Sequence, residues 1–409
     1  MPRYDRAAMS RFTPSPFQPA VAFIFVTALL DVMAMGLIIP VLPTLVEQFA
    51  GSTGNASLWN GLLVALWAGM QFLCSPLIGA LSDRYGRRPV ILVSTIGLSL
   101  DWLMMALAPN LWWLAVGRML GGVTSSSFTA AYAYMADITA PEHRSRAFGL
   151  IGAAWAAGFV AGPALGGVLA AWGPRTPFWV AAALSGVAFC YGLFVLPESL
   201  PKDRRMPFAW SRANPLGSLH LLRSHADLGG LATVNFLLYF GHHIFSAVYV
   251  LYAAHRYGLG PPEVGLLLAC AGMMDMAVQG WLVGKVVARV GDRTTMVIGL
   301  VAGASGLLAR GFAPTPLLFA AALLPNAFFA LAIPTIQSLM TARVSEREQG
   351  QLQGATNSIA AIAGVASPLF FGWLYGISAI GMPGLSFEIA ALVLVGAAIV
   401  GHRSCRQPA

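Results

Sequence analysis

The sequence predicts an all-α membrane protein with twelve transmembrane helices in two six-helix repeats, and three observations lead to this fold class. Of its 409 residues, 57% are hydrophobic and only 10% are charged, whereas an average soluble domain carries about 25% charged residues. Apolar stretches of about 20 residues, the length that crosses a bilayer, recur along the chain. A motif of the first half also returns in the second half at a fixed offset.

The twelve predicted spans take up most of the chain. Proline and glycine occur inside several of them, which spanning helices tolerate when neighbouring helices satisfy the freed backbone groups. In order, the spans are residues 18–45, 57–81, 89–108, 111–136, 147–171, 175–196, 227–253, 262–287, 294–312, 316–341, 351–376 and 384–401. We therefore expect no separate soluble domain.

These spans form two predicted domains of six helices each. The N-terminal bundle covers 18–196 and the C-terminal bundle covers 227–401. A basic, proline-containing linker at 197–226 joins them, and short cytoplasmic segments at 1–17 and 402–409 complete the chain.

The positive charge of the chain is concentrated on one predicted face of the membrane. The net charge is +8, and 20 of the 24 lysines and arginines lie in the N-terminus, in the C-terminus, or in and at the edge of the loops after the even-numbered spans. By the positive-inside rule these segments are cytoplasmic, so both termini are expected inside. Topology therefore explains the basic composition, and nucleic-acid binding is not expected. The first span is too long for a signal-peptide core, so we expect it to be retained.

The sequence gives no reason to expect an enzyme or a cofactor. It contains no phosphate-binding loop, no His-Glu-x-x-His and no nucleophile elbow. The cysteines show no metal-ligand or redox spacing, so we interpret them as free thiols. They are Cys74, Cys190, Cys270 and Cys405.

The internal repeat is visible in "GALSDRYGRR" at 79–88 and "GKVVARVGDR" at 284–293, which lie 205 residues apart. The same offset links "GFVAGPALGG" with "GVASPLFFG" through Pro163 and Pro368. An offset of half the chain, found at two places, indicates a duplicated six-helix unit. Parallel repeats of this kind place the substrate site near the bilayer midplane between the halves, which move as rigid bodies to alternate access.

Several motifs resemble a known transporter family. "GALSDRYGRRP" resembles the loop signature of the major facilitator superfamily, and "GFVAGPALGG" resembles the helix 5 signature of its drug:proton antiporters. Six segments together resemble tetracycline exporters, namely "LDVMAMGLIIPVLP", "SDRYGRRPVILVS", "SLDW", "GRMLGG", "IPTIQSLM" and "QGQLQG". The resemblance runs over nearly the whole chain and is most specific in the first half. It implies the major facilitator fold and proton-coupled drug efflux.

The loop after the second span carries the residues of a candidate conformational latch. A cytoplasmic anchor explains its arginines, but not the glycine, which recurs 205 residues later, or the carboxylate three residues before it. A carboxylate there can cap a helix N-terminus and pair with arginine, which would stabilise one access state, as the resemblance also implies. The candidate latch residues are Gly79, Asp83, Arg84, Gly86, Arg87 and Arg88.

The fifth span carries small residues at helical spacing. One face without side chains lets the helix approach a neighbouring backbone closely, and the proline removes one hydrogen bond and can kink the helix. Tight packing is one interpretation, and sealing the closed side against the other half is a second. The motif residues are Gly158, Gly162, Pro163, Gly166 and Gly167.

Ionisable groups inside spans mark the candidate coupling and substrate site. Each costs about 2.5–3.5 kcal/mol at the centre of a span on insertion scales. The four candidates are Asp31, Asp101, Arg118 and Asp275. Asp101 and Arg118 flank the turn between the third and fourth helices at almost equal depth, so they are expected to pair, either as a static ion pair or in proton and substrate handling.

Asp31 in the first span suggests a chemistry for exchange. A carboxylate in a water-poor cavity favours its protonated form, while an incoming cation or a nearby arginine favours the charged form. A proton and a cationic substrate can therefore compete for one carboxylate. We assign Asp31 to that competition, with a structural hydrogen-bonding role as the alternative.

Four further polar side chains are candidate substrate-binding residues. His242 and His243 can titrate near neutral pH or only line a wet cavity. Gln71 and Gln337 fall where tetracycline exporters carry matching glutamines, which implies hydrogen bonds to a polyoxygenated ligand; an interhelical hydrogen bond is the alternative.

The chain departs from the family pattern in its second half. The family carries a histidine where Asp275 stands, and an aspartate in helix 9 near Gly303. The number of carboxylates is thus the same as in the family, but their positions differ. The substrate and the proton path of this half can therefore differ from those of the family.

The predicted function is efflux of a drug in exchange for protons across the bacterial inner membrane. The expected substrate is a tetracycline carried with its divalent metal, and the chain itself is expected to be monomeric and to hold no cofactor. The alternative is a proton-coupled exporter of another amphipathic drug or metabolite, of the multidrug type. A membrane sensor would require a signalling domain, for which no segment is long enough.

Overall fold

The computed structural model describes residues 19–125, 127–139, 143–208, 214–215, 217–225, 228–345 and 348–405, and all regular secondary structure in these ranges is helical. The predicted N-terminal segment, 1–17, and parts of the linker and tail lie outside the described residues. The helices of the first half are α1 (Pro19–Ile38), α2 (Leu42–Ala50), α3 (Thr53–Tyr85), α4 (Arg87–Ala106), α5 (Leu111–Thr124), α6 (Ser127–Ile138), α7 (Arg144–Leu169) and α8 (Thr176–Val195). A 3-10 turn, Ala170–Trp172, follows α7.

The described part of the linker contains 3-10 turns at Lys202–Arg204 and Gly217–Leu219 and the short helix α9 (His220–Ser224). The second half contains α10 (Leu228–His242), α11 (Ile244–Ala247), α12 (Tyr249–Tyr257), α13 (Pro261–Ala277), α14 (Val283–Phe312), α15 (Pro316–Ala321), α16 (Leu323–Ala327), α17 (Ala332–Thr341), α18 (Gln349–Ser378) and α19 (Leu385–Ser404). A π-helix, Val278–Leu282, connects α13 to α14, and a 3-10 helix, Phe328–Leu331, connects α16 to α17.

The described helices form the twelve membrane passes that the sequence predicts. Nine helical stretches are long and apolar enough to span a membrane, and a bent pair in the seventh pass provides a tenth. One stretch, Pro261–Phe312, has 52 residues, and a straight helix of that length would measure about 78 Å, more than twice a bilayer core. The helix is interrupted at Gly291, whose backbone is non-helical (φ 77°, ψ 164°), so we assign the stretch to two passes. The shorter α5 and α6 together form the fourth pass.

The first pass differs from its prediction as a single helix over 18–45. It breaks between Ile38, where α1 ends, and Leu42, where α2 begins. Pro40 stands inside this break; it donates no backbone hydrogen bond and disfavours a helical conformation at the preceding residue. Beyond the break, α2 continues to Ala50 and ends at Gly51, whose φ of 70° suits glycine.

The seventh pass, predicted as one helix over 227–253, is broken into α10, α11 and α12 and bends by 49°. A side chain from the other half satisfies the backbone at this bend. The Asn60 amide on α3 donates to the carbonyl of Ala247 at 2.7 Å and to that of Ser246 at 3.3 Å. Irregular backbone at membrane depth is stable when a neighbouring helix supplies such partners.

The two halves pack against each other at one end of the bundle. We call this the closed end, and we call the opposite end, which carries Arg87 and Lys202–Arg204, the basic end. Because α3 is about 50 Å long, its first residues lie at the closed end and its last at the basic end. At the closed end, the Ser57 hydroxyl donates to the Gly372 carbonyl at 2.8 Å, and a Cβ on Gly54 would lie 3.0 Å from the Gly376 carbonyl. Glycine thus brings α3 and α18 into backbone contact.

The fifth pass, α7, forms a second seam between the halves, and its motif glycines divide between two neighbours. A Cβ on Gly162 would lie 2.7 Å from the Gly36 Cα, and Gly158 and Gly166 face the same helix, α1. Gly167 instead faces α13, where a Cβ would lie 2.5 Å from the Pro261 carbonyl; the Pro163 carbonyl lies against Gly265 of that helix. Gly158, Gly162 and Gly166 therefore pack inside the first half, Gly167 faces the second half, and Pro163 contacts both, with its ring against Gly36 and its carbonyl against Gly265.

Candidate transport site

Asp101 and Arg118 lie side by side in the interior of the first half. Asp101 on α4 is 0% exposed and Arg118 on α5 is 5% exposed. The nearest oxygen and nitrogen, Asp101 Oδ2 and Arg118 Nη2, are 4.0 Å apart. Among the described residues, neither carboxylate oxygen of Asp101 has a hydrogen-bond partner. The two helices therefore hold a close but loosely engaged pair of charges, with polar atoms left for a proton, water or substrate.

Glycine on α5 makes room for the Asp101 carboxylate. A Cβ on Gly121 would overlap Asp101 Oδ2, and a Cβ on Gly117 would lie 3.1 Å from Oδ1. The Arg118 guanidinium lies over the rings of Trp102, at 5.4 Å, and Trp67, at 5.9 Å, an arrangement that stabilises a cation through the ring quadrupoles. Sequence reasoning missed these glycines and tryptophans, although "GRMLGG" places glycines around the arginine.

Asp31 lies inside the first half rather than between the halves. It is 8% exposed and lines a small cavity with Thr27 of its own helix, Thr95 of α4 and Ala131 of α6. Within the described part of the chain, Asp31 Oδ1 and Thr27 Oγ1 have no hydrogen-bond partner. The cavity is small and mostly apolar apart from Asp31 and the two threonines, which suits a proton or a water better than a drug-sized ligand.

Asp275 lies on α13, half-buried, immediately before the π-helix Val278–Leu282. Short π-segments inside helices occur frequently at functional sites. The family's helix 9 position near Gly303 leaves no room for a carboxylate here, because a Cβ on Gly303 would lie 2.6 Å from Phe329 Cδ2. A second carboxylate at position 303 could therefore be added to Asp275 only if Phe329 and its neighbours moved.

Arg310 on α14 is a buried cation that the sequence analysis missed. It is 0% exposed, and its guanidinium lies over Phe245, at 4.9 Å, and Tyr249, at 5.7 Å. The signal was available, since Arg310 lies inside the ninth predicted span, as Arg118 lies inside the fourth.

The two adjacent histidines stand at the break between α10 and α11 and contact different neighbours. The His242 ring stacks on Phe329, with 5.1 Å between ring centroids and 7° between planes, and lies 5.4 Å from Phe245. His243 Nε2 lies close to Gly364 of α18. Both rings therefore take part in aromatic and interhelical packing.

The two candidate glutamines lie in different halves. Gln71 Nε2 donates to Ser125 Oγ at 3.4 Å. Gln337 Nε2 donates to Gln353 Oε1 at 2.7 Å, and Gln353 Nε2 donates to Asn357 Oδ1 at 3.2 Å. The second set forms an exposed row of amides on α17 and α18. Such a row offers both donors and acceptors to a polyoxygenated ligand.

At the basic end, Arg87 is the centre of the candidate latch. It is 8% exposed and donates to Asp83 Oδ1 at 2.5 Å, Ser82 Oγ at 2.6 Å and Asp137 Oδ2 at 3.1 Å. The Glu198 carboxylate accepts a hydrogen bond from the Arg87 backbone N–H at 2.9 Å. These bonds link α3, α4 and α6 to one another and to Glu198, which follows α8 at the end of the first half.

The other latch residues support this turn. Gly86 has a φ of 106°, and a Cβ there would overlap the Glu198 carboxylate. The Arg84 guanidinium lies 5.1 Å from the centroid of the Tyr85 ring, and Arg88 Nη2 donates to the Leu193 carbonyl at 2.9 Å. Gly79 faces Thr129, whose Cγ2 would be 3.4 Å from a Cβ.

Two pseudo-repeated halves, buried charges at membrane depth and close helix contacts between the halves define an alternating-access membrane transporter. The chain belongs to the Major Facilitator Superfamily, whose profile matches residues 24–229 and 231–403. It is 36% identical over 377 residues to the class C tetracycline resistance protein of Escherichia coli, a match that covers 92% of this chain and 95% of that protein.

A second curated relative is multidrug resistance protein 2 of Bacillus subtilis (strain 168), which is 30% identical over 85% of this chain and 86% of its own length. Among solved structures, a bacterial homolog of the human lysosomal transporter Spinster, in an inward-facing and unoccupied conformation, superposes with a TM-score of 0.76. That match covers 95% of this chain and 96% of the other at 16% identity, and it shows the common fold.

Proposed function

We propose that the protein exports a tetracycline, bound to its divalent metal, in exchange for protons across the bacterial inner membrane. The relative at 36% identity is a tetracycline resistance protein and matches almost from end to end. The single structural observation that carries the proposal is the buried Asp101–Arg118 pair. A carboxylate and an arginine at the limit of ion-pair distance, 4.0 Å, can separate when a proton or a substrate cation takes the place of one partner.

Orientation follows from charge. The basic end carries the lysines and arginines of the loops, so by the positive-inside rule it faces the cytoplasm, together with both termini. The closed end then faces outward, where Ser57 and Asn60 join α3 to the second half. This is an inward-facing state, the one from which an exporter takes up its cargo.

Exchange follows from competition for carboxylates. Asp31, enclosed with Thr27 and Thr95, receives and passes protons within the first half. Asp101 and Asp275 act nearer to the substrate, where a drug cation replaces the proton on a carboxylate. The amides of Gln71 and Gln337 hydrogen-bond the oxygens of the drug. Each step moves a proton or rearranges hydrogen bonds, so the protein performs transport and no covalent catalysis.

The metal travels with the drug. The described residues contain no group of three or more potential ligands for a metal ion. The oxygens of a tetracycline are hard ligands of the kind that divalent cations such as Mg²⁺ prefer. The protein then recognises the complex as a cation, carries no resident cofactor and acts as a monomer.

The second candidate is export of another amphipathic drug. The departures in the second half favour it, because Asp275 stands where the tetracycline exporters carry a histidine and Gly303 lies near the position of their helix 9 aspartate. The relative named multidrug resistance protein 2 also matches most of the chain.

Drug susceptibility separates the two candidates. A sensitive host that expresses this chain is tested against tetracyclines, chloramphenicol and cationic dyes, with an Asp101→Asn variant of equal expression as the matched control. Tetracycline resistance that disappears in the control supports the first candidate. Resistance to dyes alone supports the second, and no shift for any tetracycline refutes the first.

A further inference from the structure

We propose that His255 is a proton-sensitive closure at the outer end of the bundle, where its protonated imidazole, on the second half, binds the Glu47 carboxylate of the first half. The inference rests on the proposed function, because it takes the orientation assigned there, with the closed end facing outward. It gives the acidity of the outer medium a second effect on transport, which is to hold the outer side closed.

His255 lies near the end of α12, and its two ring nitrogens face different halves of the protein. Its Nε2 lies 3.2 Å from Glu47 Oε1 of α2 and 2.6 Å from Thr53 Oγ1 at the start of α3. Its Nδ1 lies 3.3 Å from Tyr375 Oη of α18. Glu47 and Thr53 belong to the first half, and Tyr375 belongs to the second. The imidazole therefore connects the two halves through polar atoms on both sides of the ring.

This contact lies at the closed end, next to the place where α3 and α18 touch. The residues directly after Thr53 and Tyr375 are the two glycines that face each other there. Tyr375 is 0% exposed, which fixes the position of the imidazole beside it. The side chains of His255 and Glu47 are 31% and 36% exposed. Water at the outer face therefore reaches both groups, and a proton binds there without crossing the protein.

Glu47 is the charged partner that faces His255 across the seam. The other charged and titratable groups on the elements around the ring are Tyr375 of α18, Arg256 and Tyr257 of α12, and Glu263 in the first turn of α13. Arg256 is directed toward the second half, since its Nε donates to the Ala313 carbonyl at 3.2 Å. The carboxylate within ion-pair distance of the imidazole is that of Glu47.

Protonation changes the kind of contact that His255 makes. A neutral imidazole with its hydrogen on Nε2 donates to Glu47 and accepts from the Tyr375 hydroxyl, without a charge on the ring. An imidazolium donates from both nitrogens and places a positive charge opposite the carboxylate. Histidine is the side chain whose charge ordinarily changes between about pH 5 and 8. The contact across the seam is therefore an ion pair in acid and a hydrogen bond at higher pH.

The proton therefore acts as a ligand of the closed state. When the halves separate at this end, His255 and Glu47 each face water and the attraction between them is lost. A ligand shifts an equilibrium by its difference in affinity for the two states. Acid at the outer face therefore favours the closed outer end, and this effect disappears as the pH rises and the imidazole loses its proton. The proton binds to a ring nitrogen from the outer medium and returns to that medium, so no other bond changes.

Electron paramagnetic resonance distances in the full chain, in lipid and without drug, test this closure. The native cysteines are replaced by serine, and spin labels are attached to Leu107→Cys and Ile380→Cys, which are exposed positions of the two halves at the closed end. The ratio of closed to open distances is measured at about pH 5.5 and at about pH 8. Between these values the ratio should fall more in this labelled parent than in His255→Gln, by roughly 1.5- to 5-fold, the effect of a partly exposed ion pair.

Glu47→Gln should show the same smaller change as His255→Gln, and the double variant should show no further reduction, because all three lack the same pair. The matched control is His402→Gln, which removes a histidine that contacts Arg293 at the basic end and should keep the pH dependence of the parent. A change in the ratio that is equal in the parent, His255→Gln and Glu47→Gln overturns the proposal. So does an equal reduction in His402→Gln. If His255→Gln does not fold, the comparison of Glu47→Gln with the parent decides in the same way.

The distance measurement uses no drug, so its outcome is separate from that of the proposed substrate. Proteoliposomes with tetracycline provide the second arm. Tetracycline transport by the wild type, together with equal distance changes in all variants, supports the proposed function and overturns the closure. Wild-type vesicles that move no tetracycline refute the proposed substrate and leave the role of His255 to the distance result.

Discussion

Replacing Asn60 with alanine is expected to open the closed end. Asn60 is 1% exposed and donates to the Ala247 and Ser246 carbonyls across the seam, at 2.7 and 3.3 Å. Without the amide, two buried carbonyls lose their donor, at a cost of about 1–3 kcal/mol. When the seam is open, water hydrates the same carbonyls and the loss is small. The balance between the two states should therefore shift toward the open one by roughly 5–150-fold.

Cysteine labelling measures this shift. The native thiols are replaced by serine, and Ser57→Cys places a reporter in the seam, where Ser57 is 0% exposed. A membrane-impermeant maleimide is added from the outer face. The rate at which the maleimide reacts with the thiol at position 57 should rise in Asn60→Ala by roughly 5–150-fold.

The matched control is Asn235→Ala. Asn235 is a buried asparagine, 7% exposed, whose amide donates to the Thr356 carbonyl at 3.4 Å within the second half. Its loss should leave labelling at position 57 unchanged. Equal labelling in Asn60→Ala and in its parent, with both proteins folded, would refute the idea that this amide holds the seam.

Three other predictions concern the first half. Removing either Asp101 or Arg118 alone should destabilise the protein by about 3–5 kcal/mol, and the double neutral variant should unfold at a higher temperature than the worse single; additive losses would show that the two charges do not interact. Gly121→Ala should abolish transport, because the new methyl overlaps the Asp101 carboxylate, whereas Gly152→Ala, where nothing lies within 4 Å, should be neutral in the same drug-uptake assay. Asp83→Asn should leave the protein inserted and alter maleimide labelling on both faces of the membrane; unchanged labelling with intact transport would make the motif a topology anchor only.

The sequence alone determined the fold and the depth of the charges. Spans of about 20 apolar residues fixed the passes, and the offset of 205 residues fixed the repeat. The depth of Asp101 and Arg118 followed from the turn between them, and the structure has this turn, with α4 ending at Ala106, α5 beginning at Leu111, and Asn110 capping α5. Local sequence carries this information because distance along a helix translates directly into depth.

Only the tertiary structure decided which way each side chain faces. Spanning helices are hydrophobic all round, so their sequences carry no strong periodic signal for the inward face. The sequence therefore could not show that Asp31 points into the first half or that Gly303 is covered by Phe329. Nor could it show that Asn60 reaches the Ala247 carbonyl or that Arg310 lies over the rings of Phe245 and Tyr249. These contacts join distant parts of the chain and depend on how whole helices are rotated and packed, which no local pattern specifies.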